Sequence, residues 1–161
     1  MGIFSSAASL FGFETSSDQN GKDKDVVEPG SKATVLVIDD DNQFLEAMRA
    51  LLGEAGYGVL TSTTGPKGLD MLRYGPRDLG VVVLDFNMPR FNGADTLEYL
   101  RKLNDQIKVV AVSGLKVNEL PPGFRQNVDR FVSKPFSNSE LLAAIKEVLT
   151  GNTEAEPAAS A

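Results

Sequence analysis

The chain has 161 residues, 42% of them hydrophobic and 24% charged, enough for one domain with a full apolar core. Its net charge of −6 lies mostly in the two ends, and the near-neutral middle lacks the basic footprint that a nucleic-acid partner demands. Cys and His are both absent. Their absence removes disulfides, thiolate or imidazole metal sites and Ser-His-Asp triads, leaving carboxylates, hydroxyls, Lys and backbone to carry any chemistry.

The N-terminal stretch MGIFSSAASLFGF lacks the basic start and cleavage pattern of a secretory signal. Ile3, Phe4, Ala7, Leu10 and Phe11 recur at helical spacing, but a segment under about 15 residues is short for a lone helix. A disordered start is expected; docking on a partner groove or a membrane surface is the alternative. Residues 12–32 are polar and Gly-rich without a strand or helix period, so 1–32 read as arm and linker. Residues 33–150 form the compact block, and 151–161 a disordered acidic tail. No apolar run reaches the roughly 18 residues that cross a bilayer, and the expected location is the cytoplasm.

Within the block, Val35 to Ile38 is an apolar run of strand formers ended by Asp39, Asp40 and Asp41. Phe44, Leu45, Met48, Leu51 and Leu52 mark a helix stopped by Gly53 and Gly56. Gly58 to Thr61 is a short second strand, and Leu69 and Leu72 mark a second helix after Gly65-Pro66. Val81 to Leu84 is a third strand; Ala94, Leu97, Leu100 and Leu103 give a third helix, and Ile107 to Val112 a fourth strand. Pro121-Pro122-Gly123 interrupts the next segment, where a helix-interior Pro costs about 3 kcal/mol, so a short or irregular fourth helix is expected. Arg130 to Ser133 is a fifth strand, and Leu141, Leu142, Ile145, Val148 and Leu149 stripe a last helix capped by Ser137 or Ser139.

Strands without polar alternation are buried on both faces. Alternating with helices at this spacing, they predict a doubly wound α/β domain with a five-stranded parallel sheet and helices on both faces. Ligands in such sheets sit at the carboxyl ends of the strands, beside the switch in strand order. Asp39-Asp40-Asp41, Asp85, Ser113-Gly114 and Lys134-Pro135 all fall at strand ends and converge on one edge. Crowded carboxylates repel, and a hard divalent cation such as Mg²⁺ relieves them. Lys134 and the Ser113 hydroxyl then suit a phosphoryl group, with Asp85 as a plausible nucleophile.

These residues resemble the receiver domain of two-component response regulators over about 33–150, carried by VLVIDDD at 35–41, VVLDFNMPRFNG at 82–93, VVAVSG at 109–114 and FVSKPF at 131–136. The resemblance implies a flavodoxin-like sheet of order 2-1-3-4-5. It also implies Asp85 as phosphoacceptor, Asp39, Asp40, Asp85 and the Asn87 backbone carbonyl as Mg²⁺ ligands, and Ser113 and Lys134 on the phosphoryl group. Phe131 would be the aromatic switch, moving with Ser113, and Lys134-Pro135 commonly a cis peptide. Pro89 and Gly93 would shape the loop after Asp85, with Phe86 and Met88 packing it.

With no His of its own, the chain would take the phosphoryl group from a partner histidine kinase or histidine phosphotransfer protein. No output domain is expected after residue 150. A single-domain, chemotaxis-regulator-like protein would signal by binding a protein target through the fourth helix, fifth strand and fifth helix, and the interrupted fourth helix points to an unusual target. It would be no enzyme beyond its own phosphoryl transfer and autodephosphorylation. The alternative is a receiver-fold docking module working without phosphorylation. A haloacid-dehalogenase-type phosphohydrolase is disfavoured by Asn87, since that chemistry wants an acid two residues after the nucleophile. A flavin-binding fold is excluded by three Asp where its phosphate loop would lie.

Overall fold

A computed structural model describes residues 32–151; the N-terminal arm, the linker up to 31 and the tail from 152 lie outside the described residues. The strands are β1 (Lys32–Ile38), β2 (Tyr57–Ser62), β3 (Leu79–Asp85), β4 (Lys108–Ser113) and β5 (Arg130–Ser133). The helices are α1 (Asn42–Glu54), α2 (Gly65–Tyr74), α3 (Gly93–Leu103), α4 (Pro122–Arg125) and α5 (Asn138–Thr150). All strand pairs are parallel, in the order β2-β1-β3-β4-β5. The order turns between β1 and β3, so the loops leaving these two strands part and open a crevice at their carboxyl ends.

The pleat explains why these strands are apolar throughout. Val35, Val37, Val81, Val83, Val110 and Val112 point to one face and pack with Leu45, Met48 and Leu52 of α1 and Leu141 and Ile145 of α5. Their neighbours Leu36, Ile38, Val82, Leu84, Val109 and Ala111 point to the other, against Leu97 and Leu100 of α3 and Phe124 of α4. Each fully buried Val or Leu contributes about 1.5–3 kcal/mol, so both helix layers are fixed by one sheet. Among the described residues, no helix is long and apolar enough to cross a membrane.

Short polar signals set where the helices begin. Asp41 caps α1, its carboxylate accepting from the Gln43 and Phe44 N–H groups at 2.9 and 3.3 Å. Thr64 caps α2, Asn92 caps α3, and Ser137 with Glu140 forms a capping box on α5. Helix α5 ends at Gly151, whose φ of 70° is the left-handed conformation that glycine adopts without strain.

Two places depart from a simple stripe. Between β4 and β5 the chain makes a 3₁₀ turn at Val117–Glu119 and then a single-turn α4 that starts at Pro122, as the prolines predict. Leu103, expected on the buried stripe of α3, is 44% exposed. Positions 94, 97, 100 and 103 are three apart, and each step falls about 60° short of a full circuit. Leu97 and Leu100 therefore face the sheet while Leu103 has rotated out.

A polar latch secures the short α4 region. The Arg101 guanidinium donates to the carbonyls of Asn127 (2.7 and 3.0 Å), Ile107 (2.6 Å) and Asp105 (3.2 Å), and pairs with Asp129 at 3.1 Å. Asp129 also accepts from Lys108 and from the Val109 N–H. Burial pushes the Asp129 carboxyl up, but these donors outweigh it and hold it below its ordinary value. Its contribution to stability is therefore present above the ordinary carboxylate pKa of about 4 and lost as pH falls through the lowered value. Asp129→Asn should cost about 1 kcal/mol at neutral pH, a modest figure because the pair is part-exposed, and should flatten the acid limb of stability measured by urea denaturation against pH.

Candidate functional site

The carboxyl ends of four strands deliver the site. Asp39 follows β1, Asp85 ends β3, Ser113 ends β4 and Lys134 follows β5. Asp39, Asp85 and Ser113 are 1%, 3% and 0% exposed, while Asp40 is open to solvent. One oxygen from each of Asp39, Asp40 and Asp85 lies within 4.8 Å of the others, an all-oxygen donor set of the kind a hard divalent cation takes. Asp41, the third of the run, is not part of this set because its side chain caps α1.

Lys134 reaches back over the cluster. Its ammonium donates to Asp39 Oδ2 at 2.7 Å and Asp85 Oδ1 at 3.3 Å. Asp39 Oδ1 also accepts from the Asp41 N–H at 2.9 Å. The Lys134–Pro135 peptide is cis, and the Lys134 N–H donates to the Ser113 carbonyl at 2.7 Å. Burial works to lower the ammonium's pKa, but the hydrogen bond to Asp39 and the charges of Asp85 and Asp39 hold it above its ordinary value. Asp85 is pushed up, first by burial and then by the charge of Asp39; Lys134 and the Asn87 N–H offset only part of this.

The loop after β3 presents Asp85 through a close backbone approach. A Cβ on Gly93 would lie 2.5 Å from the Asp85 carbonyl oxygen and 2.7 Å from Phe86 Cα, so no larger residue fits without moving the Asp85 backbone. Gly93 N–H closes the loop on the Phe86 carbonyl at 3.0 Å, and Arg90 in between has a φ of 67°. Met88 is buried and Phe86 half-buried, its ring edge-on to Phe124 at 4.9 Å, so both pack the loop as expected.

The Ser113 hydroxyl accepts from the Leu115 N–H at 3.1 Å and from the Asn87 side-chain amide at 3.5 Å, which leaves its own proton to donate. The amide contact of Asn87 is an addition to the metal-ligand role expected of its backbone carbonyl. Phe131 lies half-buried on β5 against the second core layer, beside Val117, Leu120 and Val128. Sequence reasoning missed Phe44, whose ring lies under the Lys134 ammonium at 4.5 Å. The one signal for it was its place a few residues after the acidic run.

Over residues 35–146 the chain matches the response regulator receiver domain, and it belongs to that family of two-component signalling modules. It is 32% identical over 120 residues to the response regulator MprA of Mycolicibacterium vanbaalenii, covering 74% of this chain and 51% of that protein. The MprA of Mycobacterium bovis is 33% identical over 126 residues, covering 78% and 54%. The chain thus spans about half the length of these curated relatives. Among solved structures, a CheY-like receiver domain protein from Methanospirillum hungatei superposes with a TM-score of 0.70 at 27% identity, over 75% of this chain and 96% of that one. The response regulator TrrA of Thermotoga maritima, solved in complex with Mg²⁺-BeF, superposes with a TM-score of 0.66 at 26% identity, over 73% and 99%.

The upward push on Asp85 has a sign. A carboxyl raised on folding supports the fold below its ordinary pKa and loses that support as pH rises through the folded value. In its ionised form Asp85 therefore opposes folding. Asp85→Asn should raise stability in chelator-treated, metal-free buffer by about 1–3 kcal/mol, read as a higher melting temperature, because Lys134 keeps Asp39 while the repulsion is gone.

Proposed function

We propose that the protein is a phosphorylation switch in which Asp85 accepts a phosphoryl group from a phosphohistidine of a partner kinase or phosphotransfer protein. The observation that carries this reading is the convergence of Asp39, Asp85, Ser113 and Lys134 from four strand ends, with Asp85 buried between a carboxylate and an ammonium. An Asp85 oxygen forms the new P–O bond as the donor's P–N bond breaks, and the imidazole leaves as the neutral ring, keeping the P–N electron pair on nitrogen. Ser113 donates its free proton to a phosphoryl oxygen, and Lys134 turns from the carboxylates to pair with the same group. Asp39, Asp40, Asp85 and the Asn87 carbonyl would hold Mg²⁺, which when bound neutralises charge on the phosphoryl oxygens. Water later cleaves the acyl phosphate at phosphorus, returning carboxylate and inorganic phosphate.

Beyond this autodephosphorylation the protein turns over no substrate. Ser113 and Lys134 are the neighbours whose partners change, and both connect to β5 by the hydrogen bond from the Lys134 N–H to the Ser113 carbonyl. Phe131, on β5, is the side chain through which the change reaches the α4, β5 and α5 face, where a protein target docks. With α4 reduced to one turn, that face differs from one built on a long helix. The near-neutral middle of the chain gives no basic surface for nucleic acid.

Intact mass after incubation with Mg²⁺ and acetyl phosphate tests the reading. Wild type should gain one phosphoryl group and Asp85→Asn none; a folded wild type that gains nothing from acetyl phosphate or from a phosphohistidine donor sinks it and leaves a docking module. Ser113→Ala should take up the group about 10- to 100-fold more slowly, the factor expected when a hydrogen bond to a charged acceptor is lost.

A further inference from the structure

Lys134 closes the acidic cluster from the far side of the sheet, on a side chain that is 30% exposed and has four rotatable carbons. Two of its three N–H bonds are aimed at the Asp39 and Asp85 carboxylates. A further contact is aromatic: Nζ lies 4.5 Å from the ring centroid of Phe44. That ring also meets Phe136 nearly edge-on, with centroids 6.0 Å apart and planes at 79°. Phe136 follows Lys134 by two residues. One ring on α1 thus touches both the site's cation and the aromatic residue just past it in the chain.

The placement of Phe44 is itself fixed by the acidic loop. It occupies the third position of α1, and its N–H donates to the capping carboxylate of Asp41. The ring is half-buried and packs against the first core layer and Phe136. The electron-rich face of an aromatic ring attracts an ammonium, and it does so whatever the charge on the carboxylates nearby.

We propose that Phe44 is a positioning residue for the switch, holding the Lys134 ammonium at the site by a cation–π contact while its ionic partners exchange. The inference rests on Asp85 being the phosphoacceptor. During transfer Lys134 must trade carboxylate oxygens for phosphoryl oxygens, and the contact that does not change in that trade is the ring. An aliphatic side chain of similar bulk would preserve the packing on Phe136 and lose the attraction.

The test compares wild type with Phe44→Leu and Phe44→Trp, with Phe44→Met as a second aliphatic variant should Phe44→Leu fail to fold. In metal-free protein, NMR should show the Lys134 ε-methylene protons shifted upfield by the ring in wild type and Phe44→Trp, and at their ordinary position in the aliphatic variants. With Mg²⁺ and acetyl phosphate, the aliphatic variants should gain the phosphoryl group about 3- to 30-fold more slowly. Phe44→Trp should recover a rate close to wild type, a rescue that a purely packing role would not give. Equal rates in wild type and the aliphatic variants overturn the proposal, as does equal impairment of the aliphatic and Trp variants. If wild type takes up no phosphoryl group, the phosphoacceptor reading fails, and the methylene shift alone decides whether the ring holds Lys134.

Discussion

Two buried carboxylates, from strands that are neighbours in the sheet, share a single ammonium delivered by a third strand end two places away. Asp39 and Asp85 are both buried and repel each other, and an unpaired buried charge costs several kcal/mol. Lys134 makes the arrangement tolerable, and it reaches the cluster because β5 lies parallel to β4 and ends level with it. Ser113 pairs with Ser133 in register, which places the next residue, Lys134, at the edge where Asp85 ends β3. The parallel sheet is thus the device that brings residues 95 positions apart to 2.7 Å.

The region between β4 and β5 would weaken that arrangement if left loose. Its α4 is a single turn, too short to hold itself by helical hydrogen bonds alone. Two substitutes do the work of a longer helix. Phe124 and Leu120 bury into the second core layer, with Phe124 edge-on to Phe86 on the loop that presents Asp85. Arg101 ties the carbonyls of Asp105, Ile107 and Asn127 to the end of α3. The entry to β5, and with it Phe131 and Lys134, is thereby anchored to the same helix whose Gly93 sits against the Asp85 backbone.

Most of this was legible in the sequence because the two dominant signals are local. Strands buried on both faces must be apolar at every position, so Val35 to Ile38, Val81 to Leu84 and Val109 to Val112 announce themselves and the parallel sheet. Polar residues at their ends then fall on one edge. What stayed hidden depends on direction in space. Nothing in the run of three Asp says that the third turns away to cap α1. The three-residue spacing of α3 looks like a stripe, although Leu103 rotates off it. Phe44 reads as one more apolar residue of α1, since its distance to Lys134 exists only after the segment that follows β5 folds onto the start of α1. The Asn87 amide bridges to Ser113 across 26 residues, a separation that no local pattern encodes.

The balance at Asp85 shows which force the fold leaves unsatisfied. Burial and the Asp39 charge raise its pKa, Lys134 lowers it, and the first two win. A structure optimised only for stability would pair Asp85 fully or replace it by an apolar residue, as buried ion pairs often allow. Here the ammonium sits closer to Asp39, at 2.7 Å, than to Asp85, at 3.3 Å, so Asp85 keeps the weaker share of the cation that the two carboxylates share. That asymmetry leaves Asp85 the less compensated of the two carboxylates, its backbone held close by Gly93. A local violation of good pairing, held in place by a sheet covered on both faces, is what the proposed role of Asp85 as phosphoacceptor would draw on.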